Sequence, residues 1–173
     1  MLKKMIIKNF KCFKNETVLD LRKTNYKLLE QNTYDKVLKG ALFVGANASG
    51  KTTMLAPIKL LLDLLFKDQD IYLFQQQCLF SDEEITKLSY IFDVDGHEIN
   101  YSFSFEGNLF VEETLFVDKK NIIEREGKNA SLHLLKNRET FNDVDTSLLF
   151  LKRVYFNTKF SGNKNLVKWF EFL

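Results

Sequence analysis

Gly45-Ala46-Asn47-Ala48-Ser49-Gly50-Lys51-Thr52 stands between an apolar run, Ala41-Leu42-Phe43-Val44, and a leucine-rich stretch that reaches Phe66. Its pattern is G-x-x-x-x-G-K-[ST], which cradles the phosphates of a nucleoside triphosphate. The two glycines permit a tight turn and let backbone N–H groups point inward at phosphate oxygens. A helix opening at Lys51 adds unpaired N–H groups and a partial positive charge. Lys51 is expected to reach the β- and γ-phosphates as a point charge and to be the catalytic lysine. The Thr52 hydroxyl is expected to coordinate Mg²⁺, and Thr53 to touch the α-phosphate. Four fixed positions recur by chance, so context decides. A strand buried on both faces leads in and an amphipathic helix leads out, which is the context the motif requires. Gly45, Ala46, Asn47, Ala48, Ser49, Gly50, Lys51, Thr52 and Thr53 therefore form the candidate site, with ATP and Mg²⁺ as cofactors.

Working outward, Met5 to Phe10 predicts a short strand and Val18 to Leu21 a second, joined through a turn over Lys11 to Glu16. Arg22 to Lys36 is polar and predicts a loop with at most one helical turn. The helix is predicted from Lys51 to Phe66, with Leu55, Ile58, Leu61, Leu62, Leu65 and Phe66 on one apolar face. Pro57 is expected to kink it. Lys67 to Glu84 reads as loop plus a short helix. From there the pattern alternates. Leu88, Tyr90, Phe92 and Val94 lead to Asp95-Gly96, a strong hairpin signal. Ile99, Tyr101, Phe103 and Phe105 return, and Glu106-Gly107-Asn108 turns the chain again. Leu109 to Val117, Asn121 to Glu126 and Ser131 to Leu135 complete an antiparallel meander. Ser147 to Phe156 and Leu166 to Leu173 read as helix or mixed structure. The fold class is α/β, with a central P-loop strand, a flanking helix and an antiparallel β-meander. Strands, loop and helix occupy 1–66, the meander 85–135 and a helical tail 146–173, all in one unit over 1–173.

The bulk numbers agree with a globular domain. The chain has 173 residues, 45% of them hydrophobic, enough for a real core. Lys plus Arg is 25 and Asp plus Glu is 23, a net charge of +2. That balance supplies no global attraction to nucleic acid. Cys12 and Cys78 form no CxxC pair, so no zinc-ribbon signal exists, and they suggest a reducing compartment. Met1 to Phe10 contains no apolar signal region, and Leu60 to Phe66 is too short to span a bilayer. A cytoplasmic protein without membrane contact is expected.

The fuller string Gly45 to Thr53 resembles the Walker A of ABC-type ATPases, and more narrowly the group of SMC proteins, Rad50, RecF and the OLD nucleases. Ile6-Ile7-Lys8-Asn9-Phe10-Lys11-Cys12-Phe13 is similar to the I-x-N-F-(K/R)-x-F opening of that group. Here a stretch near Thr24 to Lys36 separates the opening from the loop. Within the group the chain looks like the AAA_15/AAA_21-type ATPases of bacterial phage-defence systems, similar to abortive-infection and RloC-like proteins. Those carry G-A-N-A-S-G-K-T, a Leu-rich helix and a meander with an E-E-x-L element, where Glu112-Glu113-Thr114-Leu115 stands. The resemblance spans Met1 to about Leu135.

It implies an N-terminal ATPase lobe. Family members also need a Walker B strand ending Asp-Glu, a signature motif beginning Ser-Gly and a switch His, and none is visible in this sequence. The resemblance places them in a C-terminal lobe, on the same or a separate chain. Two heads then sandwich ATP, so a homodimeric or hetero-oligomeric assembly is implied, with an effector nuclease as a further partner and nucleic acid engaged only indirectly. The chain alone is expected to bind ATP weakly and to hydrolyse it poorly or not at all. The resemblance also implies that Lys11 approaches the phosphates or the base; a solvated lysine in a surface hairpin is the other reading.

Other candidates are weaker. Asp93 and Asp118 end apolar runs and are the only options for a Walker B in a self-contained phosphotransferase. Neither is followed by Glu, and a strand-end aspartate capping a turn is the simpler reading. A non-catalytic nucleotide-binding assembly module is a third class. GTP is disfavoured, since Asn163-Lys164-Asn165-Leu166 lacks the aspartate of a guanine-reading element. Gln75-Gln76-Gln77 lies on the wrong side of the meander for a Q-loop. His97 and His133 have no triad spacing. The phenylalanine stripe of the meander reads as core, since basic residues are not interleaved with it.

Overall fold

A computed structural model describes residues 1–23, 30–47, 49–68, 71–134 and 137–173. Strand β1 (Leu2–Lys8) pairs antiparallel with β2 (Thr17–Asp20), forming the expected first hairpin. β1 starts earlier than its apolar pattern predicts and stops at Lys8, because Asn9 turns to φ 54, outside the extended region. A 3₁₀ turn, Glu30–Asn32, precedes a two-stranded ribbon of β3 (Thr33–Tyr34) and β4 (Val37–Leu38). This ribbon lies where a loop with at most one helical turn is expected; residues 24–29 of that polar stretch lie outside the described residues.

Helix α1 runs Lys51–Phe66, and Pro57 sits within it without ending it. The meander follows as β5 (Ile85–Val94), β6 (His97–Glu106), β7 (Leu109–Val117), β8 (Lys120–Glu126) and β9 (Asn129–Leu134). Leu135, the predicted end of the last strand, lies outside the described residues. A further strand, β10 (Asn137–Phe141), pairs with β9 and was not predicted, since Asn-Arg-Glu-Thr-Phe carries no apolar alternation. Among the described residues the main sheet has eight strands in the order β10-β9-β8-β7-β6-β5-β1-β2. The tail is helical, with α2 (Phe150–Thr158) and α3 (Lys164–Phe172).

One face of the sheet carries the core. Met5, Tyr90, Tyr101, Leu115, Ile123 and Leu132 are successive cross-strand partners, and all are buried. α1, α2 and α3 cover this face. Trp169 of α3 packs 5.6 Å from the Phe92 ring and 5.8 Å from that of Tyr101. Tyr90 Oη donates to the Pro57 carbonyl at 2.7 Å, tying α1 to β5. α1 therefore buries Pro57, Leu60, Leu61 and Leu65. Leu55 and Phe66, expected on that face, are exposed. Phe66 instead meets Phe170 edge-on at 5.1 Å.

The row beside this one holds a charge pair. Ile7, Leu88, Phe103, Glu113, Arg125 and Ala130 are successive partners. Glu113 and Arg125 are fully buried, with Nη1 and Oε2 3.5 Å apart. Glu113 also accepts from the N–H groups of Phe150 and Leu151 at 2.7 and 2.8 Å, and from Tyr101 Oη at 2.9 Å. It thereby satisfies the open N-terminus of α2. Arg125 donates to the carbonyls of Gly127, Asp145 and Leu148. Burial pushes the Glu113 carboxyl above the usual carboxylate value, and the two N–H groups with Arg125 pull against that.

The central P-loop strand is a correction. Residues 41–46 have no regular structure and do not join the sheet. Leu42 and Val44 are 87% and 82% exposed. A strand that is apolar on both faces is stable only between neighbours that complete its ladder and cover its faces. No such neighbour occurs among the described residues.

Candidate phosphate-binding site

The loop from Gly45 leads into the N-terminus of α1. Gly50 is the N-cap residue, at φ 85 and ψ 7, a left-handed conformation that favours glycine. No side chain caps the helix and no acidic residue lies in its first turn. The first N–H groups and the positive end of the helix dipole are thus left for an anion. Gly45, Ala46, Asn47, Ser49 and Thr52 are exposed, and Gly50, Lys51 and Thr53 half-buried. Ala48 lies outside the described residues. The Lys51 amine folds over the loop, donating to the carbonyls of Gly45 at 2.8 Å and Ala46 at 2.5 Å, with Ser49 Oγ at 3.3 Å. The sequence motif thus becomes one small structure, with a cation, two glycines and an uncapped helix end around a single turn.

Glycine is favoured at Gly50 by its left-handed φ of 85, whereas at Gly45 the close neighbour is the tip of a side chain. A Cβ added at Gly45 would meet Ser49 Oγ at 2.9 Å. One added at Gly50 would meet Cys12 Sγ at 3.3 Å and Phe13 Cζ at 3.8 Å. The turn after β1 therefore packs directly against the residue that opens α1. Sequence reasoning missed this contact. The signal available to it was the pair of motifs itself, the opening through Phe13 and the loop through Thr52.

Lys11 lies in the turn between β1 and β2. Its amine donates to the Gln75 carbonyl at 2.9 Å and its N–H to the Gln76 carbonyl at 2.8 Å. Gln75 to Gln77 thus lie against the β1–β2 turn, and Gln77 Nε2 donates to the Glu84 carbonyl. Asp93 pairs with Lys3 at 3.0 Å and accepts from the Gly96 N–H at 3.0 Å. Asp118 accepts from the Glu98 N–H at 2.9 Å and lies 2.6 Å from His97 Nδ1. The His97 ring, then that N–H, hold the Asp118 carboxyl below the usual carboxylate value. Both aspartates cap strand ends and neither bonds to the phosphate loop. His133 contacts Ser131 Oγ at 3.3 Å.

The residues present fit a nucleotide's phosphates: the amine, the left-handed Gly50 and the uncapped helix end. For a metal ion they offer less. Among the described residues no group of three or more His, Cys, Asp or Glu could hold one. A cavity of about 800 Å³ lies elsewhere, on the polar face of the sheet around Lys87, Ser102, Ser104, Glu112 and Thr114. No loop residue lines it.

An α/β chain with a Walker A loop opening a helix is of the P-loop nucleotide-binding class. The family model of an AAA ATPase domain, AAA_15, matches residues 1–172, and the chain belongs to that family of AAA ATPases. Among curated proteins, none matches the chain. Among the described residues no helix is long and apolar enough to cross a membrane.

Proposed function

We propose that the chain binds ATP with Mg²⁺ through Gly45 to Thr53, as the N-terminal part of an ABC/SMC-like ATPase of a phage-defence system. The observation that carries this reading is the convergence of the Lys51 amine, the left-handed Gly50 and the uncapped α1 N-terminus on one exposed turn. Lys51 would balance the charge of the β- and γ-phosphates, and the Thr52 hydroxyl would hold Mg²⁺. Hydrolysis also needs a carboxylate to orient water and a second metal ligand. We assign both to a C-terminal lobe and the sandwich to a dimer partner. The exposed Leu42 and Val44 support this, since they leave apolar surface beside the loop for a partner to cover. An effector nuclease as partner rests on the resemblance alone. The self-contained phosphotransferase is disfavoured because Asp93 and Asp118 are engaged as turn caps.

The test is ATP turnover by the chain alone and mixed with a polypeptide carrying the family's Walker B strand and signature motif. Turnover is expected to be slight alone, to rise on mixing and to vanish in Lys51→Ala. Turnover that survives Lys51→Ala contradicts the proposal. Intact binding with no rise on mixing favours the non-catalytic assembly module instead.

A further inference from the structure

Resting on that reading, we infer that Asn9 is a positioning residue for the phosphate loop. It is fully buried and holds a left-handed backbone, φ 54, a conformation that asparagine tolerates better than most residues. Its side-chain Nδ2 donates to the carbonyls of Glu83 at 2.7 Å and Ile85 at 3.2 Å. Its own carbonyl accepts from Thr86 Oγ1 at 2.8 Å and from the Cys78 N–H at 3.3 Å. One residue thus clamps the end of β1 to the entry of β5 and to the segment after Gln77.

What the clamp holds is the turn beneath the nucleotide loop. Immediately after Asn9, Phe10 and Phe13 exchange backbone hydrogen bonds of 2.9 and 2.8 Å around Lys11 and Cys12. The tip of that tight hairpin is what meets Gly50. Asn9 does not touch the phosphate loop in this arrangement; it acts through the Phe10–Phe13 hairpin. A second observation separates the clamp from ordinary packing. Asn9 Oδ1 is buried with no partner, a desolvated acceptor that costs stability. An apolar residue would carry no such cost, so the donor half of the amide is what the site requires. The hairpin in turn braces Gly50, whose conformation aims the first N–H groups of α1. Rotating those groups changes anion affinity without touching any loop residue.

Three variants test this: Asn9→Gly, which keeps the left-handed backbone and its carbonyl bonds and drops the side-chain half of the clamp; Asn9→Asp, which sets a carboxylate against two carbonyls; and Leu132→Ala, which creates a cavity in the core at the far side of the sheet. Each is assayed well below its melting temperature for the Kd of a ribose-labelled fluorescent ATP with Mg²⁺, beside wild type and Lys51→Ala. The expected result is about tenfold weaker binding in Asn9→Gly, equivalent to the loss of roughly one charge-assisted hydrogen bond. Leu132→Ala is expected to melt earlier and bind as wild type. If Asn9→Asp fails to fold, Asn9→Gly decides alone. Wild-type affinity in Asn9→Gly, with Lys51→Ala impaired, overturns the role of Asn9 and leaves the ATP reading standing. No binding by wild type overturns both.

Discussion

The meander and the loop before α1 meet solvent in opposite ways. In β5 to β9 every strand finds its partner across a tight turn, and the rows running from Tyr90 to Leu132 and from Leu88 to Ala130 are buried throughout. From Ala41 to Val44 the chain is as apolar as any of these strands, yet Leu42 and Val44 stand in water. The difference lies in pairing distance. An antiparallel hairpin completes its ladder within a few residues, whereas a strand buried on both faces needs neighbours that arrive from elsewhere. One region pairs within a few residues, and the other has no strand neighbour among the described residues.

The largest effect should come from breaking the paired region. Glu113→Ala leaves Arg125 buried without its carboxylate and the α2 N-terminus uncapped. A loss of about 3–5 kcal/mol is expected, measured as a lowered urea midpoint. A loss below about 1 kcal/mol would mean that the pair is exposed in solution. The exposed region should respond in the opposite sense. Leu42→Ser with Val44→Ser is expected to shift stability by no more than about 0.5 kcal/mol, and to abolish the rise in turnover on mixing with a C-terminal lobe. A cost of several kcal/mol in the chain alone would show that the run is already packed.

The same contrast sets how much the sequence reveals. Alternation and the Asp95-Gly96 turn place β5 and β6 closely, because a half-buried antiparallel strand writes its own period. Helix α1 is legible to its ends, because Gly50 opens it and Phe66 closes its leucine run. Its buried face is less so: Leu60 is inside and Leu55 outside, since the sheet approaches along the Pro57 side. β10 escapes because its residues carry no apolar period. Glu113 shares parity with Leu115 and Val117, so a charge on the core face was readable. Its partners Arg125 and α2 were not, because they depend on register and on a helix distant in sequence. At the candidate site, the residues of the loop are legible from the motif alone. The brace of Cys12 and Phe13 against Gly50, and the engagement of Lys11 by Gln75, arise only from the tertiary fold.

The most direct measurement is a calorimetric titration of ATP with Mg²⁺ into the chain and into Lys51→Ala. Saturable binding at one site is expected for wild type, weakened by about 10- to 100-fold in Lys51→Ala as charge-assisted hydrogen bonds to phosphate are lost. Equal affinity in the two proteins would place the nucleotide away from the loop and contradict the reading of Gly45 to Thr52.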